Sequence, residues 1–162
     1  MSRYTTITTD IWHDKEFKRL SAVGKTVYLF VLTSPYSNQC GFYRLPLDCV
    51  EFALGKRGAE ELTKNATTLY KYDEDNEVVF IPNYLKYNVA KSPQQINGVA
   101  RAAASLPYSY LTVDFTEKYI EYCGEEALTK LPRPLLQAVQ MAALRRATRD
   151  SMALASLLES YI

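Results

Sequence analysis

The sequence has few of the residues that build metal or redox sites. His13 is its only histidine, and its three cysteines, Cys40, Cys49 and Cys123, are odd in number and widely spaced. This set has neither the spacing of zinc ligands nor a C-x-x-C redox pair. We therefore expect no metal, no cofactor and reduced thiols, as in a cytosol.

Long apolar segments are also lacking. The longest apolar run is the six-residue "VYLFVL", and the N-terminal "MSRYTTITTD" has no apolar core of signal-peptide length. A membrane-spanning helix needs about 20 predominantly apolar residues, and a signal peptide needs roughly 7–15. The sequence therefore predicts a cytoplasmic protein that is neither secreted nor inserted in a membrane.

Neither sign of charge is in excess. Nineteen Lys and Arg residues face eighteen Asp and Glu residues, and the net charge is +1. A protein that coats DNA non-specifically is normally far more basic. Any nucleic-acid site in this chain would therefore be a local patch.

A catalytic constellation is not recognisable either. The segment "VGKT" at residues 23–26 suggests a phosphate-binding loop, but Arg19 occupies the place of the required upstream glycine. Glu125 and Glu126 are adjacent in sequence, so a helix would turn them to different faces, which is unsuitable for paired acid–base chemistry. We expect a protein that is not an enzyme.

The length and composition suit a folded protein. The chain has 162 residues, of which 48% are hydrophobic, enough for one well-buried domain and an appendage. Thirteen tyrosines are many for this length. We expect most of them to be half-buried at helix and hairpin contacts, with the hydroxyl reaching water.

Residues 1–90 predict the order helix, helix, strand, helix, helix, strand, strand. Periodicity, caps and turn residues place the helices at residues 13–20, 22–32, 46–54 and 57–70, and the strands at 41–45, 69–73 and 77–82. The last two strands form a hairpin, which we expect to pair with the first because a lone hairpin is marginal in water. This order is that of a winged helix-turn-helix domain, so the predicted fold is mainly α with a small antiparallel sheet.

Residues 91–162 predict an all-helical extension that serves packing or dimerisation. Ser92 is an expected N-cap, Pro93 suits the first helical position and Gln95 completes a capping box. Further helices are predicted at residues 114–123, ended by Gly124, and at 135–162.

The helix at 57–70 is the candidate DNA-contact element. Its apolar stripe of Ala59, Leu62, Ala66 and Leu69 turns a polar face outward. The predicted contacts to double-stranded DNA are Lys56, Arg57, Lys64, Asn65, Thr67, Thr68 and Lys71, with Asn65 suited to reading adenine. The alternative is an ordinary solvated helix face.

The predicted wing carries "DEDNE" at its tip, residues 73–77. Carboxylates near phosphates are unfavourable, whereas this segment makes a good solvated turn. We therefore expect the tip to point away from DNA, or this face to meet a basic protein partner.

The C-terminal helix is rich in alanine and leucine. A chain-end helix with such a stripe usually needs a partner, so we expect a homodimer. The predicted interface residues are Leu135, Val139, Leu144, Leu154 and Leu158. The basic cluster of Arg145, Arg146 and Arg149 is either the polar side of this helix or a contact to nucleic acid.

Four segments carry a family resemblance. Together, "TITTDIWHD", "LTSPYSNQCGFYRLPL", "VVFIPNYLKYN" and "SPQQINGV" resemble the N-terminal winged-helix domain of phage replisome organisers, the DnaD-like replication initiation proteins. The resemblance covers residues 1–106. It implies a phage or prophage protein in the cytoplasm of a bacterial host, with origin-DNA binding and recruitment of the host helicase-loading machinery. The near-neutral charge leaves an alternative, a phage winged helix that binds and inhibits a host protein, such as an anti-CRISPR-type inhibitor.

Overall fold

The computed structural model of the chain describes residues 5–88, 90–124 and 132–159, the side chains of residues 142, 146 and 150–159 excepted. A 3₁₀ helix, Thr9–His13, comes first. The α-helices are α1 Lys15–Arg19, α2 Ala22–Thr33, α3 Leu47–Thr63, α4 Tyr84–Tyr87, α5 Pro93–Ala104, α6 Tyr110–Cys123 and α7 Arg133–Glu159. The strands are β1 Phe42–Arg44, β2 Lys71–Asp73 and β3 Val78–Phe80.

The three strands form one antiparallel sheet in the order β1-β3-β2. Phe42 and Lys71 both face Phe80 across the ladder, and Tyr43 and Tyr72 both face Val79. The predicted pairing of the hairpin with the first strand is confirmed. With α2 and α3, this sheet gives the arrangement of a winged helix-turn-helix domain.

Local capping signals fix several helix ends. The Ser21 hydroxyl accepts the Gly24 amide at 2.9 Å, and Ser92 and Gln95 form the predicted capping box of α5. Gly124 ends α6 with a left-handed φ of 80°. Helix α6 begins at Tyr110, four residues earlier than predicted, because Ser109 and Thr112 form a second capping box.

The first predicted helix and α4 differ from expectation. The predicted helix at 13–20 is divided at Asp14, whose carboxylate accepts the Phe17 amide at 2.8 Å and starts a new helix, α1. The short helix α4, Tyr84–Tyr87, was not predicted. Four residues are too few to show a periodic pattern in the sequence.

Helix α3 contains the turn of the helix-turn-helix. Gly55 has φ 72° and ψ 175°, so the predicted end of the first half is confirmed. Gly58 fits closely behind this turn, because an added Cβ there would lie 2.4 Å from the Leu54 Cβ. The two halves thus meet through a single left-handed residue.

The second half of α3 ends at Thr63, and the prediction of a helix to residue 70 is wrong. Asn65 adopts a left-handed φ of 49° and bonds to the backbone of β2, which diverts the chain from the helical path. Ala66 is therefore exposed instead of lying on a helical stripe. Leu69 is buried, but it lies in the loop and not in a helix.

Both faces of the sheet are covered. On one face, the side chains packed against α2 and α3 are Tyr43, Tyr72 and Val79, next to Val27, Val31 and Leu62. On the other face, the cluster contains Phe42, Val78, Phe80, Val99, Leu111, Phe115 and Leu135. The helices of residues 91–162 therefore share a core with the winged helix, because an apolar strand such as "VVF" has to be buried on both sides.

Candidate nucleic-acid interface

The second half of α3 presents two cations at its start. Lys56 and Arg57 directly follow the Gly55 turn and are exposed. Among the residues that the structure describes, neither forms an ion pair. Their charges are therefore available to an anionic ligand.

Lys64 lies at the other end of this helix, at its C-cap. Its Nζ atom is 3.2 Å from the Glu61 carboxylate, one helical turn back. Glu60 is also exposed on this helix. The C-terminal end of the predicted contact helix is therefore closer to neutral than its start.

Asn65 is engaged in the fold. Its Nδ2 atom donates to the Tyr72 carbonyl at 2.8 Å, and its Oδ1 atom accepts the Tyr72 amide at 2.6 Å. These two bonds use the same amide edge that would read adenine. Thr67 and Thr68 follow in the loop, where the Thr67 hydroxyl accepts the Leu69 amide at 3.1 Å.

Lys71, the last predicted contact, lies in β2 and forms an ion pair with α6. The Asp114 carboxylate is 2.8 Å from Lys71 Nζ and 2.8 Å from an Arg145 guanidinium nitrogen. One carboxylate thus connects the wing, α6 and α7. The structure therefore leaves only Lys56, Arg57 and Lys64 of the seven predicted residues on or directly after the contact helix.

Two of the four acidic residues at the wing tip have structural roles. The Asp73 side chain is buried, and its carboxylate accepts the hydroxyl of Ser109, the N-cap residue of α6. Glu77 accepts the Leu47 amide at the start of α3 at 3.2 Å and pairs with Arg44 at 3.2 Å. Glu74 and Asp75 remain exposed at the tip.

The pKa of Asp73 reflects two opposing effects. Burial raises the pKa, but hydrogen bonds from Ser109, from Asn76 and from the amides of Asn76 and Asp75 outweigh burial, and the pKa falls below its ordinary 3.8. Because the pKa is lowered on folding, ionised Asp73 stabilises the protein above pH 3.8, and this contribution disappears as the pH falls through the lowered value.

We expect Asp73→Asn to reduce the stability of the protein at pH 7 and to reduce its sensitivity to acid. The amide cannot carry the charge that the surrounding donors stabilise. Urea unfolding monitored by circular dichroism should give free energies that converge for the two proteins as the pH decreases below 3.8. Parallel curves down to the acid limit would contradict this role of Asp73.

The predicted interface residues on helix α7 lie in different environments. Leu135 is buried in the core of its own chain, and Val139 packs against that core. Leu144 is exposed together with Met141, and Arg149 is exposed as well. The side chains of Leu154, Leu158 and Arg146 lie outside the described residues, so the homodimer stays a prediction.

Phe52 is a surface feature that the sequence analysis missed. It lies on the first half of α3 and is 94% exposed. Its neighbour one turn back, Cys49, lies 3.0 Å from the Tyr36 hydroxyl. Helical spacing could have identified it, because Val50 and Leu54 define the inward face and Phe52 lies opposite them.

Charge is distributed unevenly along the chain. Residues 44–77, which contain α3 and the wing, have five basic and eight acidic residues, a net charge of −3. Residues 78–113 have three basic residues and no acidic residue. The helix-turn-helix therefore has a mixed surface whose cations are concentrated at Lys56 and Arg57.

Comparison with protein-family models, curated proteins and solved structures finds no match for this chain. Within the described ranges, no helix is both long and apolar enough to span a membrane. The same residues contain no group of three or more His, Cys, Asp or Glu side chains placed to hold a metal ion.

Proposed function

We propose that this chain is a winged-helix protein that binds double-stranded DNA through the start of the second half of α3. The observation that carries this proposal is the pair of exposed cations at Lys56 and Arg57, directly after the helix-turn-helix turn, neither of which has an ion-pair partner in the described part of the chain. In helix-turn-helix proteins the N-terminal residues of the second helix contact base edges and phosphates in the major groove. The resemblance of residues 1–106 to phage replisome organisers supports replication initiation or regulation as the setting.

We expect the duplex contact to involve only a few cationic side chains. Lys71 is held by Asp114 and Asn65 by Tyr72, so phosphate contacts come chiefly from Lys56 and Arg57, with Lys64 sharing its charge with Glu61. Contacts to phosphates position a protein on the duplex and make binding depend on salt. The exposed carboxylates of Glu74 and Asp75 repel the phosphate backbone, so in this proposal the wing tip points away from the DNA.

The test is the double variant Lys56→Ala/Arg57→Ala in a duplex-binding titration at several salt concentrations. Loss of two phosphate contacts should weaken binding and reduce the slope of log K against log salt by roughly 1.8. A matched control is Lys118→Ala/Arg133→Ala, which removes the same charge from α6 and α7 and should keep the slope of the native protein. The proposal is refuted if no duplex, including the protein's own genomic region, is bound in a salt-dependent way.

A second candidate function is binding and inhibition of a host protein. The observation that favours it is Phe52, 94% exposed and flanked by the exposed acids Asp48 and Glu51. An exposed aromatic side chain with two carboxylates beside it on the same helix suits a basic protein surface with an apolar pocket. Phe52→Ala separates the two candidates, since it should abolish inhibition of a host effector nuclease but leave duplex binding unchanged.

A further inference from the structure

A second surface combines exposed aromatic rings with lysines. Trp12, in the 3₁₀ helix, is 58% exposed, and Tyr87, in α4, is 74% exposed. The Nζ atom of Lys86 lies 5.7 Å from the centre of the Tyr87 ring, and that of Lys25 lies 5.9 Å from the centre of the Phe17 ring. We call Trp12, Lys25, Lys86 and Tyr87 the α4 surface.

The two exposed rings lie close to a pair of less exposed rings, the buried Phe17 and the partly buried Tyr28. The Trp12 ring packs edge-on against Phe17, with ring centres 5.3 Å apart, and Phe17 lies 6.0 Å from Tyr28. Helix α4 and Tyr28 meet at one core cluster, since Tyr84 of α4 and Tyr28 of α2 both pack against it. Burial, Asp14 and Tyr87, in that order of size, also raise the pKa of Tyr28 to about 12. Trp12, through Phe17, and α4, through Tyr84, are therefore both connected to the region of Tyr28.

Few carboxylates lie in the chain segments that carry this surface. Residues 78–113, which include α4, contain no Asp or Glu. Of the three acidic residues in residues 10–28, Asp14 caps α1 by accepting the Phe17 amide at 2.8 Å, Glu16 pairs with Arg19 at 2.8 Å, and Asp10 is exposed. Among the residues that the structure describes, neither Lys25 nor Lys86 forms an ion pair, so both charges can meet an anion.

We propose that the α4 surface binds single-stranded DNA, with bases stacked on Trp12 and Tyr87 and phosphates paired with Lys25 and Lys86. Aromatic rings interleaved with cations bind single strands, because every base offers a π face once it is no longer stacked in a duplex. Lysine ammonium groups are also attracted to the faces of aromatic rings by cation–π interactions, which hold them close to the rings on which bases would stack. This site is separate from the duplex contact at Lys56 and Arg57 and goes beyond the proposed function.

Trp12 gives a direct measurement, because it is the only tryptophan of the chain. Titration of the full chain with an oligo(dT) of about 16 nucleotides, the upper range for one binding module, should quench its fluorescence. The affinity should fall as salt rises. No change of Trp12 fluorescence at the lowest salt concentration, together with no binding by anisotropy of a labelled oligo(dT), overturns the inference.

Variants test the individual contacts. Tyr87→Ala should weaken oligo(dT) binding roughly ten-fold, the effect of losing one stacked base. Lys25→Ala/Lys86→Ala should reduce the salt slope by about 1.4, two phosphates on a single strand. The matched controls are Tyr108→Ala, which removes a half-exposed tyrosine from the loop before α6, and Lys118→Ala, which removes an ammonium that lies 5.6 Å from the centre of the Tyr122 ring. Unchanged affinity in the Tyr87 and lysine variants refutes the site.

The duplex variant separates this inference from the proposed function. If Lys56→Ala/Arg57→Ala loses blunt-duplex binding but keeps oligo(dT) quenching, the two sites are distinct, as the inference requires. Equal loss of both ligands refutes the second site and leaves the duplex proposal standing. Quenching by oligo(dT) in a native protein that binds no duplex supports the inference and refutes the proposed function. Unfolding curves measured by circular dichroism confirm that each variant is folded.

Discussion

Replacing Phe115 by alanine is expected to lower the free energy of unfolding by about 3–5 kcal/mol, the usual cost of deleting a large buried side chain. Phe115 is completely buried between the sheet and the helices. Its ring stacks on Phe42 at 5.3 Å and on Tyr119 at 5.9 Å, and it meets Phe80 edge-on at 6.1 Å. The variant therefore leaves a cavity at the junction of the winged helix and the C-terminal helices.

Urea unfolding monitored by circular dichroism measures this loss. The matched control is Phe52→Ala, which removes the same side chain from a site that is 94% exposed and should change stability by less than about 0.5 kcal/mol. Because both segments share the sheet, unfolding of both proteins should occur in one transition. Two separated transitions in Phe115→Ala would contradict a shared core.

Replacing Asn65 by alanine is expected to cost about 2–5 kcal/mol of stability while leaving duplex affinity within two-fold of the native value. Alanine at φ 49° carries a left-handed penalty of roughly 1–2 kcal/mol. The two bonds to the Tyr72 backbone are also lost, each worth about 0.5–1.5 kcal/mol. Chemical denaturation and a duplex titration, performed on folded protein, give the two quantities.

Asn65→Gly serves as the control for the backbone effect. Glycine accepts the left-handed conformation, so this variant should lose the hydrogen bonds only and be more stable than Asn65→Ala. The difference in the free energy of unfolding between Asn65→Ala and Asn65→Gly measures the cost of the left-handed backbone conformation for alanine. A stable Asn65→Ala protein that has lost affinity for adenine-containing sites would instead support the interpretation that Asn65 reads a base.

Features determined by neighbouring residues could be predicted from the sequence. The caps at Ser21 and Ser92 and the break at Gly55 depend on local chemistry, and the structure has all three. The hairpin and its pairing with β1 follow from apolar strands that need a third partner. The order of elements was therefore accessible without coordinates.

Features determined by distant residues could not be predicted. The apparent helical stripe of Ala66 and Leu69 is overridden by Asn65, whose partner is Tyr72, seven positions away. The roles of Asp73 and Lys71, both in β2, depend on Ser109, the N-cap of α6, and on Asp114 in α6. Charge and helix periodicity indicate which residues are polar, but they do not show which polar partner lies across the fold.

Covering of the sheet on both faces has a consequence for synthesis of the chain. Phe80 completes the sheet, but Leu135, which helps to cover its second face, follows about 55 residues later. At roughly 5–20 residues per second, the ribosome needs about 3–11 s to add that segment. During this interval Phe42, Val78 and Phe80 are not yet covered by the complete helical layer. The nascent winged helix therefore emerges with an apolar face that chaperones or neighbouring nascent chains can reach before α6 and α7 arrive.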